Sequence, residues 1–182
     1  AAWYPTTDHP KQKTTEENAV AVPAKYVTLS NGKMVSSTPA GPGLRTDVWK
    51  MELPHAPYLL MMAVGDFKIY KDTWRGKEVN YYLEPKYAPF AKQIFGNTPD
   101  MLEFYSNRLG VEYPWNKYSQ IVAREYVSGA MEKTTSTLHG EQVQMTKHEL
   151  LDPEYGTESV VAHKRCRQWF GADLKAERQQ HT

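Results

Sequence analysis

Val127-Ser128-Gly129-Ala130-Met131-Glu132-Lys133 follows directly on Tyr118 to Ala123, a run that reads as a strand. Gly129 and Ala130 leave the backbone open to close approach by a ligand. Met131 follows them, and Glu132 puts a carboxylate beside the opening. A carboxylate so placed can receive an amine. The plainer reading of the same residues is a tight turn with Glu132 and Lys133 in solvent. Upstream, short stretches alternate with turn chemistry: Ala19 to Val22, Lys25 to Leu29, Lys33 to Ser37, Asp47 to Leu53, Phe67 to Tyr70 and Glu78 to Leu83. Asn31-Gly32 and Arg75-Gly76 are hairpin candidates, and Tyr58 to Val64 reads as a strand buried on both faces. Such spacing predicts an antiparallel sheet layer.

The texture changes after Pro85. Ala88 to Phe95 and Pro99 to Leu109 carry helical signals, with Thr98 as N-cap, Pro99 at the first helical position and Gly110 as the stop. Leu102, Tyr105, Arg108 and Leu109 have the spacing of one half-buried face. Thr134 to Leu138 reads as another strand, and a last helix is expected from about Thr157 to Phe170, where Ala162, Cys166, Trp169 and Phe170 share a side. The fold class predicted is α+β: a portion of an antiparallel β-sheet domain over 1–85, then the start of an α/β segment over 86–182.

With 22 Lys and Arg against 21 Asp and Glu over 182 residues, the net charge is +1, which argues against a nucleic-acid footprint. The apolar runs are too short to span a bilayer, no basic stretch followed by an apolar run is visible that would predict a signal peptide, and one cysteine, Cys166, excludes an internal disulfide framework. Mean hydropathy is −0.67, lean for a compact domain. The charge is uneven. Residues 163–182 hold five Lys and Arg against two acids, leaving −2 on the rest.

That basic excess surrounds the second informative string, His163-Lys164-Arg165-Cys166-Arg167-Gln168-Trp169-Phe170-Gly171. A zinc peptidase helix reads His-Glu-x-x-His, because i and i+4 put both imidazoles on one side while the Glu activates the metal-bound water. Here Lys164 stands at the position of the base and Arg167 at that of the second ligand. Neither can ligate a metal, and Lys164, Arg165 and Arg167 together repel one. His163 and Cys166 alone do not close a site.

Taken together, the two strings resemble the zinc aminopeptidases related to aminopeptidase N, with their Gly-Ala-Met-Glu-Asn motif and a downstream His-Glu-x-x-His-x-Trp-Phe-Gly helix. Trp3-Tyr4-Pro5, Asp8-His9-Pro10, Leu29-Ser30-Asn31-Gly32, Ala63-Val64-Gly65-Asp66-Phe67 and Tyr113-Pro114-Trp115 with Lys117-Tyr118 look like further landmarks in the same order. The resemblance implies that residues 1–85 are the C-terminal part of the family's N-terminal β-domain. Residues 86–182 would be the start of its thermolysin-like metallopeptidase domain, cut short. By the same resemblance Glu132 would grip a substrate's free α-amine and Gly129, Ala130 and Met131 would line its path. His163 would be the one zinc ligand present, and the third ligand, a Glu, would fall past Thr182. No residue of this chain carries over as catalytic. The family's cofactor is zinc, which this chain is not expected to hold tightly. Partners implied are peptides with a free N-terminus, with no nucleic acid and no membrane span expected. Self-association is expected through an apolar face around Cys166, Trp169 and Phe170. The readings to be separated are thus an inactive part of an aminopeptidase, a non-catalytic peptide-binding relative, and a purely structural fragment.

Overall fold

The computed structural model describes residues 4–7, 9, 11–151, 161, 163, 164 and 166–169. Its first half holds five strands in two small sheets. β1 (Thr14–Pro23) lies antiparallel to β4 (Leu44–His55), which pairs on its other side with β3 (Lys33–Pro39). β2 (Val27–Ser30) pairs with β5 (Met62–Gly65). The alternation read in Asp47 to Leu53 is real over its first half: Asp47, Trp49 and Met51 are buried. Thr28 and Ser37 each donate a hydroxyl hydrogen bond of 2.6 Å to the Asp47 carboxylate, and the Thr28 bond ties the two small sheets together.

The second half is built on a five-stranded mixed sheet. β6 (Lys68–Trp74) and β7 (Lys77–Leu83) form the hairpin expected at Arg75-Gly76, with φ of 45° and 75° at the turn. The chain then crosses over through a 3-10 turn (Ala88–Phe90), α1 (Ala91–Phe95) and α2 (Thr98–Leu109). It returns as β8 (Lys117–Ala123), parallel to β7. β9 (Ala130–Lys133) and β10 (Ser136–Gly140) complete the order β6-β7-β8-β10-β9, with β10 parallel to β8 and β9 antiparallel at the edge. A predominantly β structure with these helices is α+β. β6 and β7 pair with a strand from beyond residue 85, so this sheet runs across the expected domain division.

Alternation sorts the sheet's two faces. Val79, Tyr81 and Leu83 of β7 and Tyr118 and Val122 of β8 join Phe95, Leu102, Tyr113 and Trp169 in the main core. Tyr113 sits at its centre, edge-on to Trp74, Tyr118 and Trp169. Such aromatic pairs add about 1 kcal/mol each beyond the area they bury. On the other face Tyr82 and Ile121 pack with Leu29, Trp49 and Met61 between the sheets.

Several local expectations change. Asn31-Gly32 does carry a turn, with φ of 69° at Gly32, but β2 and β3 do not pair with each other; they leave for different sheets. Tyr58 to Val64 is not one strand: a 3-10 turn over Pro57–Leu59, started by proline, buries Leu59 before β5 begins at Met62. α2 starts at Thr98, with Asn97 in the cap position and the Thr98 hydroxyl bonded back to the Phe95 carbonyl. Arg108 points to solvent, and the buried side of α2 is Leu102 and Ser106. Of the expected last helix, residues 161, 163, 164, 166 and 167 are helical, and Gln168 and Trp169 have a wider, π-type turn. The remainder, including Ala162 and Phe170, lies outside the described residues, as does everything after 170. Trp169 is 2% exposed and donates its ring N–H to the Val111 carbonyl at 3.2 Å. At that residue the expected open apolar face is closed by the core, while Cys166 is half-buried.

Candidate functional site

Glu132 is the centre of the only cluster that unites both informative strings among the described residues. Because β9 is an edge strand antiparallel to β10, Glu132 lies opposite Thr137, on the face that meets the C-terminal helical residues. Its side chain is 2% exposed. A carboxylate that deep requires partners, and it has two: Lys164 Nζ at 3.2 Å from Oε2 and Arg167 Nε at 3.0 Å from Oε1. Three residues apart on a helix, the two cations reach the same side. Both sequence-singled cations therefore point at the sequence-singled acid.

The surrounding residues carry its charge. The Tyr58 and Tyr126 hydroxyls are pushed above their ordinary range by burial first and by the Glu132 charge second. Burial holds the Lys133 ammonium below its usual value, against the pull of Glu132. Lys133 instead donates to the Tyr58 carbonyl at 2.7 Å, on the other side of β9. Gln168 Nε2 donates to the Lys133 carbonyl at 3.1 Å, tying the helical residues to the strand edge.

The other expected site residues are partly brought together. Ala130 is buried, Met131 half-buried and Gly129 exposed. The Gly129 carbonyl is already taken, by Gly140 N–H and Gln142 Nε2 at 2.9 Å each. His163 is exposed at the start of the same helical stretch. Burial raises the Cys166 thiol, which disfavours a metal-binding thiolate. Among the described residues no three His, Cys, Asp or Glu side chains converge as a metal would need. Among the described residues zinc does not fit beside His163: Lys164 and Arg167 on the same helical stretch are cationic, and the Glu132 carboxylate is paired to both of them.

A second tier of residues holds β9 from behind. Asn31 Nδ2 donates to the Leu59 and Thr134 carbonyls at 3.1 and 2.6 Å, while its Oδ1 accepts from Met61 N–H at 2.7 Å. Gly32 N–H donates to Thr135 Oγ1 at 2.9 Å, and His55 Nδ1 lies 3.0 Å from Thr134 Oγ1. Thr135 is held at φ 64°, costly for a β-branched residue and affordable only because its neighbours fix it. Sequence reading named Asn31 and Thr134 but gave neither this task. Their partners lie far away along the chain.

Against known proteins, the Peptidase family M1 domain profile matches residues 94–178. Glutamyl aminopeptidase of Rattus norvegicus is 26% identical across 92% of this chain, which covers 18% of that protein. Aminopeptidase N of Acetobacter pasteurianus is 26% identical over the same share, here 48% of the relative. Aminopeptidase M1 of Arabidopsis thaliana is 28% identical, with 19% of its length covered. The chain thus spans about a fifth of the glutamyl aminopeptidases it matches.

Proposed function

Because the chain is related to the zinc aminopeptidases of the aminopeptidase N group, we propose that it is a non-hydrolysing version of that architecture, its amine-binding carboxylate satisfied from within. Residues 1–85 supply part of the family's β-domain, and 86–182 the opening of a thermolysin-like domain whose sheet also takes in β6 and β7. In an intact, active relative the equivalent of Glu132 would hold the N-terminus of a peptide while zinc-bound water is delivered to the first peptide bond.

One observation carries the reading: Glu132 is paired to both Lys164 and Arg167. A peptide ammonium arriving at Glu132 would exchange one cation for another and strand Lys164, which is itself only 15% exposed. The exchange gains little, since breaking a buried pair costs roughly 3–5 kcal/mol. Lys164 stands where the base would be, and among the described residues no three ligating side chains converge to hold a metal and its water.

The test is metal analysis of the purified 182-residue chain after dialysis, with aminoacyl-anilide hydrolysis measured alongside. The expected result is far less than one zinc per chain and no turnover, with zinc retention rising in the Lys164→Glu, Arg167→His double variant. One tightly held zinc per unmodified chain would overturn the proposal. Capture of a free-amine peptide that disappears in Glu132→Ala would replace it with the peptide-binding reading.

A further inference from the structure

Lys117 is 2% exposed, yet no carboxylate lies within ion-pair distance of its amine among the described residues. Its Nζ donates to the Ser30 carbonyl at 2.8 Å and sits 4.3 Å from the centre of the Trp49 ring. The side chain lines a groove of about 440 Å³ between β3 and the β6–β7 hairpin. Trp49 and Tyr82 line the same groove, and Lys33, Lys71 and Glu78 bring the remaining charges. This groove lies on the face of the five-stranded sheet away from Glu132, so it is a separate place with separate chemistry.

We propose that Lys117 is the nucleophile of a second site, one that forms an imine with a small carbonyl compound carrying a carboxylate or phosphate. The amine lone pair adds to the carbonyl carbon and the oxygen takes up a proton, giving a hemiaminal. Loss of water then leaves the C=N bond, with no oxidant or reductant involved. Desolvated lysines are the ones that do this chemistry, because the free amine is the reactive form. Burial brings the Lys117 ammonium down to about 7, with Glu78 working in the opposite direction. Lys33 and Lys71 give the groove an excess of positive charge to hold the anionic end. Trp49 and Tyr82 offer ring surface to its body.

The experiment treats the whole chain with pyridoxal 5′-phosphate at neutral pH, reduces with borohydride and maps the label by peptide mass. Lys117 should be labelled about tenfold more than exposed lysines such as Lys68 and Lys92. Labelling no greater than at Lys68, or appearing only in denaturant, would overturn the proposal. A second arm compares glyoxylate with propanal. Preference for glyoxylate, reduced in Lys71→Met, supports an anionic substrate, and equal labelling by the two overturns that substrate class. Because the mapping is done on the unmodified chain, the result does not depend on a Lys117 variant folding.

Discussion

Gly32→Ala is expected to destabilise the chain by about 4 kcal/mol or more, enough to leave most of it unfolded at a typical domain stability. A β-carbon built there would lie 1.9 Å from the Lys50 carbonyl oxygen, 2.4 Å from its carbon and 2.7 Å from Met51 Cα. All three are backbone atoms of β4, the central strand of its sheet, so no flexible side chain can yield. The residue is also held at φ 69°, where only glycine is comfortable. Two glycines at nearly the same φ separate these effects. Gly76 and Gly110 have φ of 75° and 66° with nothing within 4 Å of the added carbon, so alanine there should cost only about 1 kcal/mol. Urea titrations of the three variants read the difference directly. A Gly32→Ala midpoint no lower than that of Gly76→Ala would show that the close approach to β4 is not what the fold depends on.

Lys117→Met is expected to stabilise the chain, by an amount that depends on pH. The folded ammonium has its pKa near 7 against an ordinary 10.5, so between those values the unfolded chain binds the proton and the folded chain does not. Stability from this residue is therefore complete above about 10.5 and falls as the pH drops towards 7. Below that the full cost of a buried, unpaired charge is present, up to roughly 5 kcal/mol. Methionine fills a similar volume without the charge. It gives up the bond to Ser30 and the contact with Trp49, which together offset about 2 kcal/mol. The gain over the unmodified chain should be clear at pH 6 and close to zero or reversed at pH 10, measured as the difference in unfolding free energy. A difference independent of pH would mean that Lys117 is not buried as a charge.

What could be read in the amino acids was what neighbours in sequence decide. The Arg75-Gly76 hairpin, the Pro99 and Gly110 boundaries of α2 and the strand from Tyr118 all rest on local turn chemistry and periodicity. The misreadings share a different cause. Asn31-Gly32 has the dipeptide of a hairpin but serves to pin a turn far along the chain. Tyr58 to Val64 divides: Leu59, Leu60 and Met61 are buried after the 3-10 turn, whereas Met62 and Val64 belong to β5 and are exposed. β9 was missed because Gly-Ala-Met-Glu-Lys has no clean alternation, and an edge strand needs only one partner. The site followed the same pattern. Glu132, Lys164 and Arg167 were each conspicuous, but sequence spacing shows two cations repelling a metal. It does not show the carboxylate 32 residues upstream that they reach.

The grip of Asn31 on Thr134 also sets a timetable for biosynthesis. Its two ends are separated by 103 positions, so at the usual 5–20 residues per second the ribosome delivers Thr134 roughly 5–20 s after Asn31. Through that interval the amide of Asn31, buried in the finished molecule, is hydrated, and closing so long a loop is itself entropically slow. The nascent amino-terminal half waits with one seam open, exposed to chaperones and proteases, until the strand bearing Glu132 arrives.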